Sequence, residues 1–227
     1  NPGLALPLIA LQYHEVKFIF NLEAALNFNG QEAVAFPGFR LWVDYIYLDT
    51  DERRRFAQVS HEYLIEQVQY HGEEAVSGTA TSNTRLNFNH PCKELVWVER
   101  QTTRNTTKGF PTDFAGIGGT NGSTALLQLN GHDRFAKRPM NYFTRVQPMQ
   151  HHTNVPHGDR IGVYSFGLRP EDHQPSGTCN FSRIDNATLQ LTLADAEHAD
   201  GSEFQVYATN YNVLRIMSGM GGLAYSN

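Results

Sequence analysis

The stretch Gly167-Leu168-Arg169-Pro170-Glu171-Asp172-His173-Gln174-Pro175-Ser176-Gly177-Thr178-Cys179-Asn180-Phe181-Ser182-Arg183-Ile184 decides how the rest of the chain is read. An apolar strand is expected before it, at residues 161–168, and another after it, at 188–193. Between them the backbone has to turn sharply. Pro175 presets its own φ and Gly177 relaxes the steric limit, so Pro175-Ser176-Gly177 is expected as a tight turn. Asp172, Asn180 and Ser182 carry short polar side chains suited to nearby backbone groups that no strand partner reaches. Arg183 offers a planar donor fork able to tie two segments together. The stretch holds no nucleophile–base pair, no metal-ligand spacing and no phosphate loop. It describes a rigid corner between two strands, with Arg169, Gln174, Pro175, Ser176, Gly177, Asn180, Ser182 and Arg183 as its structural members.

Outward from the corner the chain is punctuated by short alternating runs. Leu189, Leu191 and Leu193 alternate with Gln190 and Thr192, the period of a half-buried strand. Residues 203–217 predict a last long strand, with Asn210 and Asn212 at a bulge. Residues 220–225 predict a Gly-rich extension that packs as a tail on a neighbour. Toward the N-terminus, Val16, Phe18, Phe20 and Leu22 share one face of a strand at 8–22. Residues 41–48 are apolar on both faces, which predicts a strand covered on both sides. Asp49-Thr50-Asp51-Glu52 reads as a capping box opening a short helix over 51–58. Its Arg53, Arg54 and Arg55 offer a phosphate contact, but no aromatic residue interleaves them, and a solvated face with ion pairs is the preferred reading. Residues 62–70 predict a strand, and 85–99 a strand interrupted at Pro91. Residues 125–130 predict a strand ending in an Asn130-Gly131 turn. Residues 139–146 predict a helix with Pro at its start, closed by Pro148. The eight principal strands are therefore 8–22, 41–48, 62–70, 85–99, 125–130, 160–168, 188–194 and 203–217. Eight antiparallel strands in two packed sheets, with short helices in the loops, make an all-β jelly-roll sandwich.

Composition narrows the function. The 227 residues carry a net charge of −5 and no Lys/Arg-rich arm, which argues against direct nucleic-acid packing. No apolar run approaches the ~18 residues of a membrane helix. The two cysteines, Cys92 and Cys179, are read as half-buried apolar thiols fitting a reducing compartment; their spacing alone does not decide whether they pair. The segment 101–123 is rich in Thr, Gly and Asn and predicts an exposed excursion, in which Asn105 and Asn121 head glycosylation sequons. Gly116, Gly118 and Gly119 lie there without the helix and Lys of a phosphate loop. His151 and His152 are adjacent rather than two apart, so a strand would point them in opposite directions; with His132, His157 and His173 they are read as locally bonded loop histidines. No catalytic residue, metal or cofactor is expected. A cupin-like metalloenzyme would need a His-x-His pair that is missing. A lectin-like carbohydrate-binding module is the other alternative, on the strength of aromatic-rich faces.

The run Arg169 to Gly177 with Asn180-Phe181-Ser182-Arg183 resembles the corresponding segment of major capsid proteins of nucleocytoplasmic large DNA viruses. The opening Leu6-Pro7-Leu8-Ile9-Ala10-Leu11-Gln12-Tyr13-His14-Glu15-Val16 is similar to the same family. So is the close, Ala208 to Ile216 with Gly219-Met220-Gly221-Gly222-Leu223-Ala224-Tyr225. The resemblance implies a structural protein with no enzymatic activity. It implies a double jelly roll, of which this chain, as a single roll over 1–227, is the C-terminal half, with its opening motif at the start of the second roll. Asn1 without an initiator Met fits that expectation. It further implies homotrimeric, pseudo-hexagonal capsomers that tile an icosahedral shell and meet neighbouring capsomers, minor capsid proteins and vertex proteins. The implied location is the outer shell of the virion, assembled in the host cytoplasm, with no contact to DNA. Replacing Arg183 by Ala is expected to weaken assembly.

Overall fold

The computed structural model describes residues 2–20, 40–76, 81–101, 114, 117, 122–193 and 202–226. The chain divides into two compact units, one of Asn1–Asn27, Gln31–Ile65 and Asn212–Asn227, the other of Phe28–Gly30 and Glu66–Tyr211.

The larger unit is a two-sheet sandwich. Its strands are β1 (His61–Val76), β2 (Thr81–Arg85), β3 (Pro91–Gln101), β4 (Thr124–Leu129), β5 (His132–Asp133), β6 (Arg138–Pro139), β7 (Ile161–Ser165), β8 (Cys179–Asn180), β9 (Ala187–Thr192) and β10 (Ser202–Met217), the ends of β1 and β10 belonging to the smaller unit. One sheet has the order β1-β10-β3-β7, with β8 added to β3; the other has β2-β9-β4-β5, with β6 added to β4. Successive principal strands mostly alternate between the sheets; β3 pairs antiparallel with β10 and β7, and β9 pairs antiparallel with β2 and β4. That order is a pair of Greek keys, the jelly roll expected from the strand count.

The sequence explains each layer. In β9 the buried residues are Ala187, Leu189 and Leu191, and the intervening Thr188, Gln190 and Thr192 lie in its half-exposed face. In β3, Cys92, Leu95 and Trp97 enter the core, while Lys93, Val98 and Glu99 are also buried, so this central strand is covered on both sides. The core gathers Leu95, Trp97, Leu127, Phe143, Leu189, Leu191, Phe204 and Val206, each at most 1% exposed. Burying such a side chain contributes about 1.5–3 kcal/mol relative to leaving it in water. Asn130 and Gly131 adopt φ of 51° and 80°, the two left-handed positions of a tight hairpin turn between β4 and β5. The register slips between Thr209 and Asn210, placing the predicted bulge.

Eight strands form the two main paths, but they are not the eight read from the sequence. Residues 8–22 yield a single 3₁₀ turn at Leu8–Ala10 and no strand among those described up to residue 20. Residues 41–48 form no strand either, and both of their faces are open: Leu41, Trp42, Tyr45 and Tyr47 are 51%, 85%, 66% and 92% exposed. Alternation makes a strand only where a partner supplies the ladder, and none does among the described residues. The run 85–99 proves to be the end of β2 and most of β3, which lie in different sheets. Leu86, Phe88 and His90 stay buried at every second position through the crossing, which is why it looks continuous. His90, at φ 67°, turns the chain into the second sheet.

Smaller corrections follow. The helix predicted to close at Pro148 passes through it. A π-helical segment, Tyr142–Val146, continues into α2 (Gln147–His151), with Pro148 in the first turn of α2, where a missing N–H is tolerated. In the smaller unit, α1 (Thr50–Gln58) carries the predicted capping box: the Asp49 side chain accepts from the first turn, and Glu52 accepts from the Asp49 N–H at 3.3 Å. Arg53, Arg54 and Arg55 are exposed, and Arg54 lies 3.7 Å from Asp51. The Gly-rich terminus is no free tail. As β11 (Met220–Leu223) it folds back on β10, pairing Leu214 with Leu223 and Met217 with Met220.

Candidate functional site

The corner at residues 167–184 is fastened to β3 at several points. Phe166 donates its N–H to the Lys93 carbonyl at 2.9 Å, and Gly167 donates to the same oxygen at 3.4 Å. On the return, Cys179 and Asn180 pair with Cys92 and Pro91. The Phe181 N–H reaches the His90 carbonyl at 3.0 Å, and the His90 N–H donates to Ser182 Oγ at 2.8 Å. Phe181, 2% exposed, sits edge-on to Phe88 and Phe166 at 6.1 and 5.8 Å between ring centres. Beyond it Asn130 Oδ1 accepts from Asp185 and Asn186 at 3.0 and 3.1 Å, holding the entry to β9.

The turn itself lies earlier than expected. Asp172 donates to the Arg169 carbonyl at 3.3 Å, so the reversal is at 169–172, and Pro175 to Thr178 forms no turn. Ser176 ties the two limbs: its Oγ accepts from the Arg169 N–H at 2.8 Å and donates to the Arg169 carbonyl at 3.1 Å. Gly177 has φ 148° for a different reason from the one predicted. Its backbone passes against Phe166 and Gly167, and a Cβ there would stand 3.0 Å from the Phe166 carbonyl oxygen. Gly167 is equally confined, a Cβ meeting the Gly177 carbonyl oxygen at 2.9 Å. Two glycines are needed because two backbones touch.

Of the remaining corner residues, Asn180 caps a short 3₁₀ turn, Phe181–Arg183, by accepting from Ser182 N–H at 3.1 Å. Arg169 and Asp172 form an exposed pair at 3.8 Å. Gln174 and Arg183 are exposed, and Arg183 ties no two segments of this chain together among the described residues. Asn105 and Asn121 lie outside the described residues, as do Gly116, Gly118 and Gly119. Asn180 and Asn186, the other sequon asparagines, are exposed.

Two of the histidines weighed in the sequence gather with other polar groups beside the corner. His152 bonds Glu94 at 2.9 Å, and Thr209 Oγ1 donates to the other oxygen of Glu94 at 3.2 Å. The hydrogen bond to Glu94 holds the His152 imidazole above its ordinary value, against the opposing effect of burial. His151 bonds the Leu168 carbonyl at 3.0 Å. These histidines are bonded, but across the fold rather than locally. Thr153 donates through both its N–H and its hydroxyl to Glu171, which keeps that carboxylate below its usual range. Arg145 grips Asp159 with two bonds of 2.6 and 2.7 Å, and this contact lowers the Asp159 pKa. Lys93, 4% exposed, is paired with Glu66 at 2.8 Å and lies over the Tyr211 ring. These contacts fasten segments to one another.

Comparison with known proteins gives this geometry its context. Residues 52–222 match the family model described as large eukaryotic DNA virus major capsid protein, and residues 1–49 match the one described as major capsid protein N-terminus. The opening motif thus lies in the stretch matched by the N-terminus model. The chain is 52% identical to a major capsid protein of Pyramimonas orientalis virus, over all of this chain and 59% of the relative. It is 46% identical to one from Paramecium bursaria Chlorella virus 1, over all of this chain and 64% of that relative. It therefore spans about three fifths of these relatives' length. The crystal structure of PBCV-1 VP54 superposes with a TM-score of 0.78 at 42% identity, covering all of this chain and 68% of that one. The Faustovirus major capsid protein, at 14% identity and a TM-score of 0.53 over 75% of this chain and 36% of that one, shares the fold.

Proposed function

From its place in the family of large eukaryotic DNA virus major capsid proteins, to which this chain belongs, we propose that it is the C-terminal part of a shell-building subunit. Three copies of the subunit close into a pseudo-hexagonal capsomer, and capsomers tile the outer shell of an icosahedral virion assembled in the host cytoplasm. The role is mechanical. Its relatives are structural proteins rather than enzymes. The observation that carries the reading is an overall identity of 52% in an alignment that takes in the whole chain.

The physical chemistry supports it. A closed three-fold ring satisfies heterologous contacts without leaving an open end. Residues 66–211 form the second roll. The apolar segments at 16–20 and 41–47 are strands of the first roll in the full subunit, whose partner strands lie in the part of the relatives that this chain does not span. That assignment accounts for apolar alternation with Phe18, Trp42 and Tyr47 at 60%, 85% and 92% exposed. Corner residues such as Arg183 face neighbouring copies, and minor capsid and vertex proteins dock on the completed lattice. The subunit makes no direct contact with the genome, in keeping with a net charge of −5. Light scattering on the native protein purified from its source tests the reading: a three-subunit mass supports it, and a stable monomer at micromolar concentration contradicts it.

A further inference from the structure

The sequence contains two cysteines, and the fold sets them face to face. Cys92 in β3 and Cys179 in β8 are directly opposite in the antiparallel ladder, next to the Pro91–Asn180 pair. Opposed residues in such a ladder lie about 4.5–5.5 Å apart at Cα, with both side chains on one face of the sheet. A disulfide spans Cα separations of about 4.4–6.8 Å. Both cysteines are free thiols, Cys92 wholly buried in the core and Cys179 half-buried against it. Their position is a mechanical junction. β8 is only two residues long, and it is the strand by which the return limb of the corner adheres to β3.

We propose that Cys92 and Cys179 form a redox clasp, open as two thiols in a reducing compartment and closed as a disulfide outside it, which locks the corner to β3. A low-molecular-weight disulfide such as oxidised glutathione is the oxidant. Cys179, the more exposed thiol, gives up its proton and attacks one sulfur of the reagent, releasing one small thiolate and leaving a mixed disulfide. Cys92 then gives up its proton and attacks the Cys179 sulfur, expelling the second small thiolate. The two protein thiols lose two electrons and two protons; the reagent disulfide gains both and becomes two thiols. Burial, with Cys179 nearby, pushes the Cys92 thiol up to about 12, so the second step is the slow one and waits on local opening of β8. An intracellular thiol pool holds the clasp open, and release into an oxidising medium closes it.

The test equilibrates the purified protein in glutathione buffers of graded redox ratio, quenches with acid, alkylates and weighs the product. The clasp predicts that both alkylatable thiols disappear together, that the mass falls by two hydrogen atoms without a lasting glutathione adduct, and that one cross-linked peptide joins the Cys92 and Cys179 segments. Cys179→Ser, at the half-buried position, should keep Cys92 alkylatable after unfolding at every ratio. Cys92→Ser should leave Cys179 carrying glutathione. Oxidation should also slow thermolysin cleavage within residues 168–178 of the parent but not of Cys179→Ser. Two alkylatable thiols persisting in the parent at the most oxidising ratio, or a stable glutathione adduct on Cys179, would overturn the proposal.

Discussion

Among the described glycines, Gly162 leaves the least room for a side chain, so Gly162→Ala is a severe test of the packing. Gly162 of β7 is the register partner of Trp97 of β3, and the indole lies across the space a side chain would fill. A Cβ at Gly162 would stand 2.1 Å from Trp97 Nε1 and 2.3 Å from Cε2. The indole cannot retreat: Trp97 is 0% exposed, and the Phe143 ring sits 5.3 Å away. Relief requires an off-rotamer indole or a gap between sheets, and overpacking of this kind costs about 3 kcal/mol. For a domain of this size that lowers the unfolding midpoint by ~6–12 °C. Differential scanning calorimetry reads the shift. Gly222→Ala is the matched control, since nothing lies within 4 Å of its added Cβ; its midpoint should move by no more than about 1–2 °C. Combining Gly162→Ala with Trp97→Phe should cost less than the two single changes added together, because the smaller ring vacates the contested space. A Gly162→Ala midpoint within ~2 °C of the parent would refute the packing argument.

Other predictions test the corner and its polar supports. Gly177→Ala should lose about 1–3 kcal/mol in urea unfolding, because it combines φ 148° with a Cβ 3.0 Å from the Phe166 carbonyl oxygen. His152, whose folded pKa lies above the ordinary 6.5, contributes stability that is full below that value and is lost as pH rises through the folded pKa. Urea midpoints measured upward from pH 6 should therefore fall more steeply for the parent than for His152→Gln; parallel curves would exclude the His152–Glu94 bond as the source. Asp159 has the opposite sign: its pKa is lowered from 3.8, so its contribution is present above that value and lost as pH falls through the folded pKa. With the Arg145 side chain 66% exposed, Asp159→Asn should cost no more than about 1 kcal/mol at neutral pH, and the difference should vanish in strong acid. Arg183→Ala should leave the midpoint unchanged, since the side chain is exposed, while raising the concentration at which trimers dissociate in sedimentation analysis. Undiminished trimer at high dilution would remove Arg183 from the interface.

What was legible in the sequence was what local chemistry decides. The Asp49 capping box, the Asn130-Gly131 turn and the alternation through Leu189 and Leu191 are signals contained within a few residues, and each appears where the residues place it. The misreadings share one cause, dependence on a distant partner. Residues 41–48 have the pattern of a strand, but pattern does not reveal whether a neighbouring strand exists in the same chain. Burial alternates unbroken from Thr84 to His90, so the passage between sheets leaves no mark in polarity; Pro91 marks the break, but only the left-handed His90 shows that the chain changes sheet there. Pro175 and Gly177 look like a turn because those residue types usually make one. Here the glycine serves a backbone crossing with Gly167, a contact between limbs that no local rule encodes. The His152–Glu94 bond joins a helix end to β3 across 58 positions and had no sequence signal at all.

Electron cryomicroscopy of native particles bears most directly on the account. It predicts three-fold capsomers in which residues 66–211 form one roll of each subunit, residues 16–20 and 41–47 are laddered into the sheets of the other, and Arg183 faces an adjoining copy. A lone roll with Trp42 and Tyr47 still bare to solvent would contradict it.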